Sequence, residues 1–114
     1  MDPLNNINIL FLEAYKALDE TCRRSFGSKS GVTEYLIRME NIPSPVKDAS
    51  PGFRECFSSL SRCRGIRNKL SHQTGSLDWI MCRMEDVQWM KNLTRSLSSH
   101  SDPLTAASRL RKKR

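Results

Sequence analysis

Arg67 and His72, five positions apart with Asn68 directly after the arginine, are the residues of this chain whose types and spacing suit chemistry on a phosphodiester. The stretch reads Arg67-Asn68-Lys69-Leu70-Ser71-His72. A guanidinium supplies a permanent charge for a phosphate, and an imidazole can pass a proton near neutral pH. Arg62, Arg64 and Lys69 add basic charge around Arg67, which suits RNA and equally suits an acidic protein. The same residues also fit a plain helix end. There Arg67 pairs with an acid such as Glu55 or Asp78, and His72 caps the last carbonyls.

The spacing occurs twice, since Arg95 precedes His100 by the same interval. Context separates the copies. Leu70 fills the next apolar position after Asn68, and Gly75 follows as a stop, whereas Arg95 is followed by serine and His100 reads as a surface residue at a fraying helix end. The serines at 96, 98, 99 and 101 read as a solvated helix end and not as nucleophiles.

Helices must position these groups. Asp2-Pro3 is a cap-plus-proline start, and Leu4, Ile7, Phe11, Ala14, Leu18 and Cys22 recur at three- and four-residue steps until Gly27. A second, shorter helix follows Ser30 on a Val32, Tyr35, Leu36, Met39 stripe and ends before Ile42-Pro43-Ser44-Pro45. Residues 43–50 read as a polar loop. Ser50-Pro51 starts a third helix through Phe53, Phe57, Leu60, Cys63, Arg67 and Leu70, with His72 in its last turn. Residues 77–82 have weak periodicity and read as extended or irregular. A fourth helix begins near Met84-Glu85-Asp86 and buries Val87, Met90, Leu93 and Leu97, with Trp89 at its edge. Met81, Met84 and Met90 with Trp79 and Trp89 read as core and edge packing in preference to a contact surface. The expected fold is all-α, an antiparallel four-helix bundle over residues 1–102, with 103–114 forming a short helix, started by Asp102-Pro103, and a basic tail.

Composition narrows the function classes. The chain has 114 residues, enough for one core, and its formal charge is +7. Five of the positive charges lie at Arg109, Arg111, Lys112, Lys113 and Arg114, leaving 14 basic against 12 acidic residues, or +2, in 1–108. Such a tail suits nucleic acid, an acidic partner or simple solvation. The apolar fraction of 38% and mean hydropathy of −0.55 fit an oligomer that completes its core or site across an interface. No apolar run approaches the roughly 18–20 residues of a membrane span, and Met1-Asp2-Pro3-Leu4 lacks the basic start of a secretion signal, so a cytoplasmic protein is expected. Cys22, Cys56, Cys63 and Cys82 form no Cys-x-x-Cys pair, so buried thiols are expected and neither a metal nor any other cofactor is.

Arg-Asn-x-Leu-x-His at a helix end in a small helical bundle resembles the HEPN superfamily over these six residues. From Arg67 to the fourth helix the chain is also similar to small helical bacterial proteins of uncharacterised function. The HEPN resemblance implies a metal-independent endoribonuclease of the toxin–antitoxin kind, a homodimer, and a neutralising protein partner, although the superfamily also has non-catalytic members. By motif position Arg67 would hold the scissile phosphate. His72 would act as general acid or base in transfer through the 2′-hydroxyl, and Asn68 would orient the phosphate or the imidazole. On a continuous helix of about 3.6 residues per turn, Arg67 and His72 lie about 140° apart. They converge if the helix loosens near Ser71 or if two protomers contribute across a two-fold axis. The resemblance implies the second arrangement. The alternative is a non-catalytic helical interaction or regulatory module that uses the basic helix end for a protein partner.

Overall fold

The computed structural model describes residues 3–72 and 82–113, with the backbone alone at 3–6, 72 and 113. Every regular element among them is a helix: α1 (Pro3–Phe26), α2 (Val32–Glu40), α3 (Ser44–Ala49), α4 (Phe53–His72), α5 (Met84–Ser98) and α6 (Pro103–Lys113). The Asp2 cap, the Gly75 stop, the 77–81 segment with Asp78, Trp79 and Met81, and the side chain of His72 lie outside the described residues.

Most apolar positions read from the sequence are buried, while Ile7, Leu36 and Phe57 are only partly so. Phe11, Ala14, Leu18 and Cys22 of α1 face Val32, Tyr35 and Met39 of α2, Phe53, Cys56, Leu60, Cys63 and Leu70 of α4, and Val87, Met90, Leu93 and Leu97 of α5 in one continuous core. Phe11, Leu18, Tyr35, Leu60 and Met90 are fully buried. Each such side chain stabilises the fold by about 2 kcal/mol relative to an exposed one. Trp89 packs at the edge of this core, while Met84 is exposed. No helix among the described residues is long and apolar enough to cross a membrane.

The ends of α1 follow local rules. Gly27 takes a left-handed φ of 60°, and the Ser28 N–H donates to the Arg23 carbonyl at 3.2 Å, closing the last turn. The start of α2 depends on α1: Asp19 Oδ1 accepts the Val32 N–H at 2.8 Å, so a side chain from the preceding helix supplies the cap.

Residues 43–50, expected as a loop, hold the six-residue helix α3. The two prolines permit it because Pro43 caps the turn and Pro45 occupies its first turn, where no intrahelical N–H is needed. Val46 anchors this helix in the core, and the Ser50 hydroxyl closes it by donating to the Val46 carbonyl at 2.8 Å.

Helix directions depart from an alternating antiparallel bundle. The Cys82 thiol, just before α5, donates to Asn8 Oδ1 at 3.4 Å, and Leu10–Ala17 border one groove with Lys91–Arg95. Phe26 and Leu97 border another cleft farther along. α1 and α5 therefore run in the same direction. α4 opposes α5, because Arg62 meets Asp86 while Cys56 and Ser59 face Leu93 and Ser96. The short α2 and α3 lie between α1 and α4 in the chain, and they pack with α6 against the long helices. The helix expected from Asp102-Pro103 is α6, eleven residues long, which buries Leu104 and Ala107 and carries Arg109, Arg111 and Lys112.

One residue in α4 runs against helix propensity. Gly65 is exposed, and a Cβ built there meets nothing within 4 Å. Gly65→Ala is expected to raise stability by about 0.8 kcal/mol, the difference between glycine and alanine in an open helix interior. Urea titration of the two proteins measures it, and a loss of stability would mean that this face is covered.

Candidate functional site

α4 stays helical through Leu70, Ser71 and His72, so it does not loosen near Ser71 and the 140° offset between Arg67 and His72 is not closed within one chain. Arg67 is instead gathered with α1. Its guanidinium carbon lies 5.6 Å from the centre of the Tyr15 ring, and its Nη1 donates to Asn68 Oδ1 at 3.2 Å. Asn68 thereby engages the arginine. Arg67 and Ser71 line a cleft of about 330 Å³ with Tyr15, Lys16, Asp19 and Arg23. Asp19 serves Arg23 in an ion pair at 2.8 Å, and Arg67 has no ion-pair partner among the described residues. Glu55, offered above as a partner for Arg67, forms no ion pair with it.

Tyr15 holds the aromatic floor of this cleft in its neutral form. Burial, and then the Asp19 charge, push its hydroxyl up to about 12 against the opposing pull of Arg67 and Arg64. A neutral ring face attracts a guanidinium through its quadrupole, leaving the arginine edge open to acceptors.

The remaining basic residues expected at an RNA surface do not converge. Arg62 pairs with Asp86, whose carboxylate also accepts the Arg83 N–H at 2.8 Å at the start of α5. Burial opposes the Asp86 charge, but the Arg62 and Arg83 hydrogen bonds outweigh it and hold the carboxyl below the usual carboxylate range. Arg62 is therefore a structural partner of the α5 start. Arg64 donates from Nε to Thr33 Oγ1 at 3.1 Å, tying α4 to α2. Lys69 is exposed. Of the predicted residues, the structure brings Arg67 and Asn68 together, sends Arg62 and Arg64 to other helices, and leaves the His72 side chain undescribed.

Lys16, Tyr15 and Arg23 lie outside the Arg67–His72 pattern, which is confined to α4. Leu12, Tyr15, Lys16, Asp19 and Arg23 follow i, i+3, i+4, i+7, i+11 spacing, a second stripe beside the buried one. That signal was available in the sequence.

The second arginine–histidine copy has its own structure. α5 ends in a Schellman closure, with the His100 N–H donating to the Leu97 carbonyl at 3.1 Å and the Ser101 N–H to the Ser96 carbonyl at 2.8 Å. His100 sits at the left-handed position with φ 58°, where glycine is usual and a residue with a Cβ costs about 1–2 kcal/mol. The end is closed, and His100 is held in a defined conformation. Arg95 is engaged by Asn92 on its own helix.

All four thiols are free and buried. Burial pushes Cys22, Cys56 and Cys63 up to about 12, with neighbouring carboxylates adding to it, so they stay protonated and unreactive. Among the described residues no group of histidine, cysteine, aspartate and glutamate is placed to hold a metal ion.

Over residues 9–114 the chain matches the model of a family described as a family of unknown function, DUF6548. The chain belongs to that family. No curated protein and no solved structure matches it. The DUF6548 match spans nearly the whole chain and corrects the HEPN resemblance, which rested on six residues. A short helix-end motif recurs by chance in any arginine-rich helix, as the Arg95–His100 copy shows. The two-fold pairing and the toxin–antitoxin setting implied by that resemblance lose their support with it.

Proposed function

We propose that this DUF6548 protein is a helical RNA-binding module whose cleft between α1 and α4 takes the phosphodiester backbone through Arg67. The observation that carries this reading is the exposed Arg67 guanidinium, held over Tyr15 without a carboxylate partner among the described residues and beside Lys16 and Arg23. A planar guanidinium fixed on a ring loses little freedom when it takes up two phosphate oxygens. The reading is one of binding. α4 is continuous through His72, so the backbone offers no break near Ser71 that would draw positions 67 and 72 together within one chain. One protomer suffices for the contact.

The test is binding of a fluorescent single-stranded RNA to the full chain over a range of salt. Arg67→Glu is expected to weaken binding by about tenfold or more, as loss of an ionic hydrogen-bond donor does, and to reduce the slope against log salt by about 1. The same RNA, incubated in EDTA with wild type and His72→Ala, is expected to remain intact. Affinity unchanged in Arg67→Glu would remove the cleft from RNA recognition. Cleavage that stops in His72→Ala would replace the binding reading with a catalytic one.

A further inference from the structure

A second cleft, independent of Arg67, lies where the C-terminal end of α1 meets α2, the α5–α6 turn and α6. It encloses about 440 Å³, a size typical of small-ligand sites, and its lining includes Ser25, Arg38, Asn41, His100, Ser108 and Arg111. None of its lining residues is acidic. Three separate elements thus contribute two arginines and a histidine to the lining of one space.

Arg38 is held from behind. The Arg38 guanidinium carbon lies 4.1 Å from the centre of the Phe26 ring, and its ion pair with Glu34 at 3.1 Å uses Nε. Arg111 makes no ion pair among the described residues. The buried acid Asp102 is already satisfied by Tyr35 and Thr105 and does not line the cleft. His100 is in the left-handed conformation that favours glycine, and it lines the cleft. A residue kept at a conformational cost beside two arginines points to a role beyond ending the helix.

We propose that this cleft binds a small soluble phosphate monoester. Its terminal phosphate has three oxygens and up to two charges, which suits donors arriving from three directions, whereas a carboxylate presents two oxygens and one charge. Ser25, Asn41 and Ser108 supply polar groups for the esterified part. Nucleic-acid backbone diesters lack the third free oxygen, so this site differs in ligand from the α1–α4 cleft.

Calorimetric titration of the full chain with inorganic phosphate and with glycerol 3-phosphate tests it. Both are expected to bind saturably at one site. Arg111→Ala is expected to weaken both by about tenfold or more, as loss of a charged hydrogen-bond donor does. Arg54→Ala removes the same charge from a surface pair with Asp48 and is expected to leave binding unchanged. His100→Gly separates function from structure: relief of the left-handed strain is expected to raise Tm by about 3 °C while phosphate binding weakens severalfold. No saturable binding, equal losses in Arg54→Ala and Arg111→Ala, or full binding in a stabilised His100→Gly protein would each overturn the proposal.

Discussion

Asp102→Ala is expected to lower the stability of the fold by about 3 kcal/mol, from three hydrogen bonds to a charged acceptor less the relieved cost of burying a carboxylate. Asp102 is fully buried. Its Oδ2 accepts the Tyr35 hydroxyl at 2.7 Å and the Thr105 N–H at 3.1 Å, and its Oδ1 accepts the Thr105 hydroxyl at 2.6 Å. The Tyr35 hydroxyl in turn accepts the Leu104 N–H at 3.2 Å. Asp102 therefore caps α6 while joining it to α2. Burial, followed by the adjacent Asp102 charge, raises the Tyr35 hydroxyl far above its ordinary value, which keeps it a donor. Tyr35→Phe leaves the Leu104 N–H and one Asp102 lone pair without this partner, at an expected cost of about 2 kcal/mol. The double variant should cost less than the sum, because both changes break one bond. Guanidinium titrations of all four proteins measure this, and additive losses would show that Asp102 and Tyr35 act separately.

Gly31→Ala is expected to cost a further large amount, about 3 kcal/mol, from overpacking against backbone. A Cβ at Gly31 would stand 2.2 Å from the Asp19 carbonyl oxygen and 2.5 Å from its Oδ1. The carboxylate could rotate, but the carbonyl belongs to the middle of α1 and moves only with the helix. Rotation of the carboxylate would also surrender the Val32 N–H, which Asp19 Oδ1 caps at 2.8 Å. The α1–α2 corner thus accepts no side chain. A thermal melt reads the effect, and a midpoint within a degree of wild type would mean that the helices can separate there freely. Arg67 lies along the same α1 face, so RNA affinity measured on folded Gly31→Ala protein also reports how rigidly that cleft is framed.

The two variants bear on what was legible beforehand. Asp102-Pro103 reads as a helix start, and that is how it acts. Nothing in the dipeptide says that its carboxylate meets a tyrosine 67 residues earlier. Ser30-Gly31 likewise marks the approach to a helix, while the reason for glycine lies in a carbonyl of another helix. Arg62 and Arg64 look alike in sequence as free basic charge. Asp86 and Thr33, both distant in the chain, engage them instead, Arg62 while still exposed.

What the sequence by itself determined is the local layer: helices where apolar residues recur at three and four, ends at Gly27 and Pro43, buried thiols, and α5 starting on acidic residues. These follow from short-range periodicity, capping and backbone restriction, which depend on neighbours in the chain. Tertiary structure alone decided that α1 and α5 run in the same direction and that residues 44–49 are helical around Val46. It also decided that Arg67 belongs with Tyr15 and Lys16, and that His100 lines one cleft with Arg38 and Arg111. The physical reason is that hydrophobic burial is non-directional: an apolar stripe requires a partner without specifying which helix provides it or in which sense it runs.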